Sequence, residues 1–421
     1  ENLTKHKIRK LDGDLDYSII RHSKTELTPL ELQYCINDVV IVLYYINEQI
    51  ELYGDITKIP LTNTGRVRRY VRQQCYFTNT NHRKSSRGKF NRYRAIMEDL
   101  QLDEDVYKMC KRAFMGGFTH ANANYMGQII EDVTSIDFSS SYPAVMITEK
   151  FPMSKAIPTE FTDEKDFDYY RKRYALLFDV RFKGITSKIQ HENYISESKC
   201  YHLVNPIINN GRVFSADDLA TTITDVDFNI IENAYTWESM QVKNVYRFYR
   251  GYLPKDIIKA IIKLYEDKTT LKGVEGKEVE YVISKGMLNS VYGMCVTDIV
   301  RDNIIYEDGW RVEPADAKEQ IKKYNESYSR FLYYPWGVWV TAYARRNLWY
   351  GIISMDDDYI YSDTDSIKFK NYEKHKPFIK RYNELVDKKL RLMCDHYNLD
   401  YKRLQPKRKD GKVDRIRSEE H

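Results

Sequence analysis

The stretch YIYSDTDSIKF, residues 359–369, sets Asp363 and Asp365 two positions apart at the polar tip between two apolar arms. Positions i and i+2 of a strand share a face, so at a hairpin tip the two carboxylates converge. Like charges held that close need a positive partner. Mg2+ suits them, because it takes one or two carboxylates and fills the rest of its shell with phosphate oxygens and water. Alone, DTD equally suits a turn whose Asp side chains bond their own backbone. A third carboxylate shifts the balance: Asp137 follows the apolar run VTSI and heads DFSSSYP, a strand-to-helix corner where the Phe138 carbonyl is also free. Asp356, Asp357 and Asp358 read instead as an exposed turn before the first arm. Two metal ions on such carboxylates can activate a hydroxyl and neutralise a polyphosphate leaving group, which is phosphoryl-transfer or hydrolysis chemistry.

Phosphate-binding cations separate transfer from hydrolysis. Lys285 opens KGMLNSVYG, and Asn289 and Tyr292 follow four and seven residues on, so one helical face offers ammonium, amide and phenol together. Lys268, in EDKTTLKG, sits just after the preceding amphipathic helix.

The elements that must position these residues alternate between helices and a few strands, an α+β pattern. Helices are expected over 28–50, with Thr28 as cap and Pro29 in the first turn, and over 96–114, ending at Gly116-Gly117. Further helices are expected over 253–268, over 279–293 with its end at Gly293, over 336–353 and over 376–396. Residues 151–250 alternate like strands, and 296–333 read as strands and polar loops. No repeat or low-complexity segment is visible. At 421 residues the chain should form two or more domains. Its longest apolar run, VVIVLYYI at 39–46, falls far short of the roughly 20 residues that span a bilayer. The six cysteines are scattered without a CxxC pair, which points to a reducing compartment and no zinc site. The net charge is only +5, yet Arg66 to Arg94 holds ten Lys/Arg and no Asp/Glu, interleaved with tyrosines, a pattern suited to a phosphate backbone.

DFSSSYP (137–143), KGMLNSVYG (285–293) and YSDTDS (361–366), in that order, closely resemble the palm, fingers and palm motifs of family B DNA polymerases. FMGGFTH (114–120), KTT (268–270) and WGVWVTAYAR (336–345) resemble the protein-primed branch found in linear-genome phages and plasmids. Ser141 stands where that family usually has Leu, and Phe114 where its linker motif begins with Tyr. The resemblance implies a right-hand polymerase, with an antiparallel-sheet palm and helical fingers, preceded by the end of a ribonuclease H-like exonuclease domain. It implies Asp137, Asp363 and Asp365 as catalytic metal ligands, with Asp365 the essential one and Phe138 a further metal ligand, and two Mg2+ ions that Mn2+ can replace. Phe138, Tyr142, Lys268, Lys285, Asn289 and Tyr292 would form the nucleotide pocket, Tyr142 lying under the sugar and excluding a 2′-hydroxyl. Gly116, Gly117 and Arg345 would lie along template or primer DNA.

The implied division is 1–60 exonuclease remnant, 61–120 basic linker, 121–150 palm, 151–250 an insertion that binds a terminal protein, and 251–295 fingers. It continues with 296–333 as a second insertion, 334–400 as palm with the catalytic hairpin, and 401–421 as a basic tail leading toward a thumb. In TPLELQYCIND, Tyr34 and Asp38 match the third exonuclease motif. One carboxylate cannot hold two metals, so the chain, expected to be a fragment, should not proofread. Template and primer DNA, dNTPs and a terminal priming protein are the implied partners of a monomer without membrane attachment. It would work in the cytoplasm of a phage-infected or plasmid-bearing bacterium, or in an organelle carrying a linear plasmid. The competing readings are an RNA polymerase or other nucleotidyltransferase, separated by dNTP against rNTP preference, and a non-catalytic DNA-binding scaffold, separated by the absence of incorporation.

Overall fold

The structure, a computed structural model, describes residues 18–78, 87–161 and 163–420. The described residues open with four helices: α1 (Pro29–Tyr53), α2 (Asn63–Tyr76), α3 (Arg87–Asp99) and α4 (Glu104–Ala113). Thr28 caps α1 in a reciprocal capping box with Glu31, and Gly54 closes it at φ 76°. The single helix expected over 96–114 is two helices. Leu100 and Leu102 turn into the core between them, and the Asn325 side chain bonds both the N–H and the C=O of Leu102 at 3.0 and 2.8 Å. A residue 223 positions away thus satisfies the backbone that the helix break exposes.

Strands β1 (Thr119–Ala121) and β2 (Thr134–Phe138) lead to helix α5 (Ser141–Thr148). The region 151–250 is strand-rich as expected, with β3 (Phe151–Pro152), β4 (Ile157–Thr159), α6 (Glu164–Arg173), β5 (Tyr174–Ser187), β6 (Cys200–Val204), β7 (Ile207–Asn209) and β8 (Arg212–Thr224). It closes with α7 (Asp225–Ala234), β9 (Tyr235–Thr236) and β10 (Ser239–Gly251). Its sheet runs β3-β10-β5-β8-β6, with β4, β7 and β9 pairing at the sides.

Helices α8 (Lys255–Leu271) and α9 (Glu278–Cys295) come next. Helix α9 runs through Gly293 rather than stopping there, since that glycine keeps a helical backbone. The following excursion holds the hairpin β11 (Asn303–Tyr306) and β12 (Trp310–Glu313), and also helix α10 (Ala317–Glu326), where only strands and loops were expected. Among its described residues only Ile321 is fully buried, so the helical stripe is too thin to read. Then come α11 (Tyr334–Met355), β13 (Tyr359–Asp363), β14 (Ser366–Phe369), α12 (Tyr372–Tyr397) and β15 (Ser418–Glu420).

A five-stranded antiparallel sheet, ordered β1-β13-β14-β2-β15, gathers strands from both ends of the chain. The 401–421 tail, expected to lead away, folds back to supply its last strand. Arg403 makes two 2.9 Å bonds to Glu266, and Thr269 donates to the buried Asp414 at 3.1 Å, so the tail's charges are held by α8 and by one another.

Helix α11 is apolar nearly all round because it is buried nearly all round. Trp336 donates its indole N–H to the Pro152 carbonyl at 2.8 Å, and Trp339 donates to Asp225 at 3.1 Å. At Gly337 a methyl group would collide with Val296 and Cys295 at the end of α9. Gly337→Ala is therefore expected to lower the unfolding free energy by about 1–3 kcal/mol, read as a lower urea midpoint.

Candidate active site

Backbone register assembles the site. Asp363 pairs with Ser366 across β13–β14, Ser366 pairs with Asp137 across β14–β2, and Asp363 pairs with Thr119 on its other side. The residues expected to converge are thus brought to one end of one sheet. Thr364 makes the tight turn at φ 56° and donates its N–H to the Phe118 carbonyl at 2.8 Å, while the Phe138 N–H reaches the Asp365 carbonyl at 2.7 Å. Thr119 donates its hydroxyl to Asp363 at 2.9 Å, a support that the sequence pattern did not single out.

Burial pushes the Asp365 carboxyl up to about 6, and the negative charges of Asp137 and Asp363 push the same way; Lys285 opposes them. That concentration of negative charge fits a divalent cation. Among the described residues no three His, Cys, Asp or Glu side chains close into a metal cage, so the donor set is an open one that phosphate oxygens and water would complete. Phe138 buries its ring against Tyr382 at 4.7 Å, which leaves only its main chain for any nucleotide or metal contact.

The expected pocket residues lie on α5, α8 and α9. Tyr142 and Tyr292 stack with ring centroids 3.9 Å apart. Lys285 and Asn289 are exposed on the same helix as Tyr292. Lys268 lies within the last turn of α8, not beyond it, and donates to Ser140 at 3.2 Å in the corner after β2. Of the two linker glycines, only Gly117 is sterically required: a Cβ there would stand 2.8 Å from the Thr364 hydroxyl oxygen and 3.1 Å from the Tyr142 hydroxyl.

Arg345 does not present its charge to DNA. It is 2% exposed and donates to Asp227 at 2.6 Å, to the Tyr194 hydroxyl at 2.9 Å, and to the carbonyls of Met115 and Gly116 at 2.5 and 3.0 Å. Its guanidinium ties the loop before Gly117 to α7. Asp358 also departs from expectation. It is a buried carboxylate accepting from Asn371, Lys374 and His375 at 2.7, 2.7 and 2.8 Å, and it clamps the open end of the hairpin. Asp356–Asp358 reads from sequence as an exposed turn because these partners follow the hairpin.

Tyr34 and Asp38 share one half-buried face of α1, with no second carboxylate cluster beside them among the described residues. In the basic run, positions 79–86 lie outside the described residues. Several of the described cations are engaged within the chain: Arg66 with Gln49 at 2.5 Å, Arg68 with Thr297 at 3.2 Å, and Arg94 with the Ser327 carbonyl at 2.7 Å. All six cysteines are free, and no helix among the described residues is long and apolar enough to cross a membrane.

A family model described as DNA polymerase type B, organellar and viral, matches residues 1–404. The chain belongs to that family. It is 26% identical over 371 residues to a DNA polymerase of Bacillus phage B103, covering 86% of this chain and 57% of the relative. It is 23% identical over 375 residues to that of Bacillus phage phi29, covering 87% and 57%. Phi29 DNA polymerase complexed with primer-template DNA superposes with a TM-score of 0.63 at 21% identity, over 87% of this chain and 57% of that one. The fold is therefore that of these polymerases, and the chain spans a little over half their length.

Two supports can be tested. Arg345→Met leaves the buried Asp227 without a cation, held only by the Tyr194 and Thr224 donors, and should lower the unfolding free energy by about 3–5 kcal/mol. It should leave the salt dependence of DNA binding unchanged, whereas losing a phosphate contact would reduce the slope by about one. Desolvation opposes ionisation of Asp358, but hydrogen bonds from Lys374, His375 and Asn371 outweigh it and hold its pKa at about 2. A carboxylate with a lowered folded pKa stabilises fully above its unfolded value, about 3.9, and loses that contribution as pH falls toward the folded one. Asp358→Asn should therefore lower the thermal midpoint at neutral pH, with the gap to the parent closing below about pH 4.

Proposed function

We propose that this chain carries the polymerising centre of a template-directed DNA polymerase, extending a primer 3′-hydroxyl with dNTPs. The observation that carries the reading is the register that sets Asp363 and Asp137 on either side of Ser366 and near the half-buried Asp365, whose raised pKa feels both of them and Lys285. Asp137, Asp363 and Asp365 would hold Mg2+, which when bound acidifies the primer hydroxyl and offsets charge on the phosphates. Lys285 and Lys268 bind the triphosphate, and Asn289 helps line the pocket. The stacked Tyr142–Tyr292 pair forms a rigid floor under the sugar, so a 2′-hydroxyl meets the Tyr142 ring. The 3′-oxygen attacks the α-phosphorus in line, its proton leaves, and the bond to pyrophosphate breaks. Held cations pointing at developing charge supply the rate, because they need no reorganisation during the reaction.

The phi29 relatives were solved with primer-template DNA, with single-stranded DNA and with incoming nucleotides, and we extend those ligand classes to this chain. Protein priming, strand displacement and a monomeric state belong to the same proposal. The 151–250 insertion is then the terminal-protein-binding element, and residues 296–333 lie over the DNA. Work in an infected bacterial cell follows from the phage relatives.

Asp365→Asn should cut primer extension by about a hundredfold or more while DNA binding persists; extension near the parent rate sinks the assignment. Tyr142→Val should raise rNTP incorporation relative to dNTP, and an unchanged ratio removes Tyr142 from sugar selection.

A further inference from the structure

Apart from the carboxylate cluster, a cleft of about 520 Å3 lies where the end of α5 meets α6, α7, α11, α12 and the end of β10. None of its lining residues belongs to the site described above. Its walls carry six cations, Lys150, Arg171, Lys172, Arg250, Arg346 and Lys389, against two carboxylates, Glu149 and Asp225.

Both carboxylates are already shared. Glu149 Oε1 accepts from Arg346 at 2.8 Å and from Lys389 at 2.5 Å. Asp225 accepts from Arg250 at 2.5 Å, from the Trp339 indole at 3.1 Å and from the Leu176 N–H at 2.9 Å. Arg171 turns to Asp168 and Glu232, outside the cleft. Lys150 and Lys172 are exposed at the rim, and neither has a carboxylate partner among the described residues. The Nε–H groups of Arg250 and Arg346 are buried with no acceptor. An unmet buried donor is costly, and cations crowded on too few anions repel one another. Lys389 registers this crowding: burial, then the neighbouring Arg346, pull its pKa down. The cleft therefore carries positive charge that its own carboxylates do not balance.

We propose that this cleft binds a phosphate-bearing anion, drawn by the excess of guanidinium and ammonium charge on its walls, while Lys150 and Lys172 close over it from the rim. Forked guanidiniums beside point-charge ammoniums suit phosphate geometry. The volume lies within the range of small-molecule sites, about 300–1,000 Å3. A free diphosphate and a backbone phosphate of a nucleic-acid strand share this chemistry, and the two arms of one experiment tell them apart.

Calorimetric titration of the full chain in EDTA uses inorganic pyrophosphate in one arm and a short single-stranded oligonucleotide in the other. Lys150→Gln/Lys172→Gln removes two exposed charges and leaves the buried pairs intact, so the fold is kept. Lys285→Gln is the control, since it removes a cation from the other site. The proposal expects at least one probe to bind the parent chain and to lose about tenfold or more in affinity in the rim variant but not in the control. Loss for pyrophosphate alone makes a free phosphate the source, loss for the oligonucleotide alone makes it the strand, and loss for both makes the site general for phosphate. The absence of binding by either probe, a smaller loss, or a loss that Lys285→Gln reproduces overturns it.

Discussion

Mutual repulsion among Asp137, Asp363 and Asp365 is the constraint on which the centre of this molecule turns. Their charges disfavour the folded arrangement: burial raises the pKa of Asp365, and Asp137 and Asp363 push it the same way. Something other than their own attraction must hold them together. The backbone ladder of β13, β14 and β2 does so, with Ile136, Ile367, Phe369 and Tyr359 buried along it. Because side chains alternate across a sheet, a one-residue slip would turn Asp137 away from Asp363, so register and chemistry are the same variable. An ion would relieve a strain that the apolar core sustains in its absence.

That core is organised by α11. Trp336 and Trp339 bond the insertion at Pro152 and Asp225, Trp349 packs on Phe118 and Tyr194, Gly337 meets the end of α9, and Gly351 lets the helix approach so closely that a methyl group there would strike Ile367 on β14. The same helix carries Arg345, which fastens the 115–116 carbonyls to Asp227 on α7. The insertion is thereby coupled, through one buried guanidinium, to the loop whose Gly117 lies against Thr364 and Tyr142. An ion pair so placed adds little net stability over an apolar substitute, yet losing one partner is severe, because the other is left buried and charged. Its value lies in fixing one geometry.

Much of this was legible from local pattern. The capping signal at Thr28, the amphipathic α8, the apolar α11 and the DTD hairpin each rest on residues within a few positions of one another, where propensity and periodicity act. What escaped depended on distant partners. The break between α3 and α4 is satisfied by Asn325, α10 has one fully buried apolar residue among those described, and Asp358 is clamped by side chains beyond the hairpin. The tail reads as solvated and basic until β2 and α8 are present to receive it.

From the sequence by itself came the candidate reactive groups and the class of chemistry they suit: carboxylates at a strand tip, and an ammonium, an amide and a phenol on one helical face. Those follow from side-chain type and short-range geometry. Only the tertiary structure decided which charges remain available. Arg345 looks like a cation for DNA in its motif, yet it is consumed by an aspartate 118 positions away, whereas Lys285 stays exposed and is felt by Asp365. The physical reason is that electrostatic energy depends on distance and burial, and the fold sets both without regard to separation along the chain.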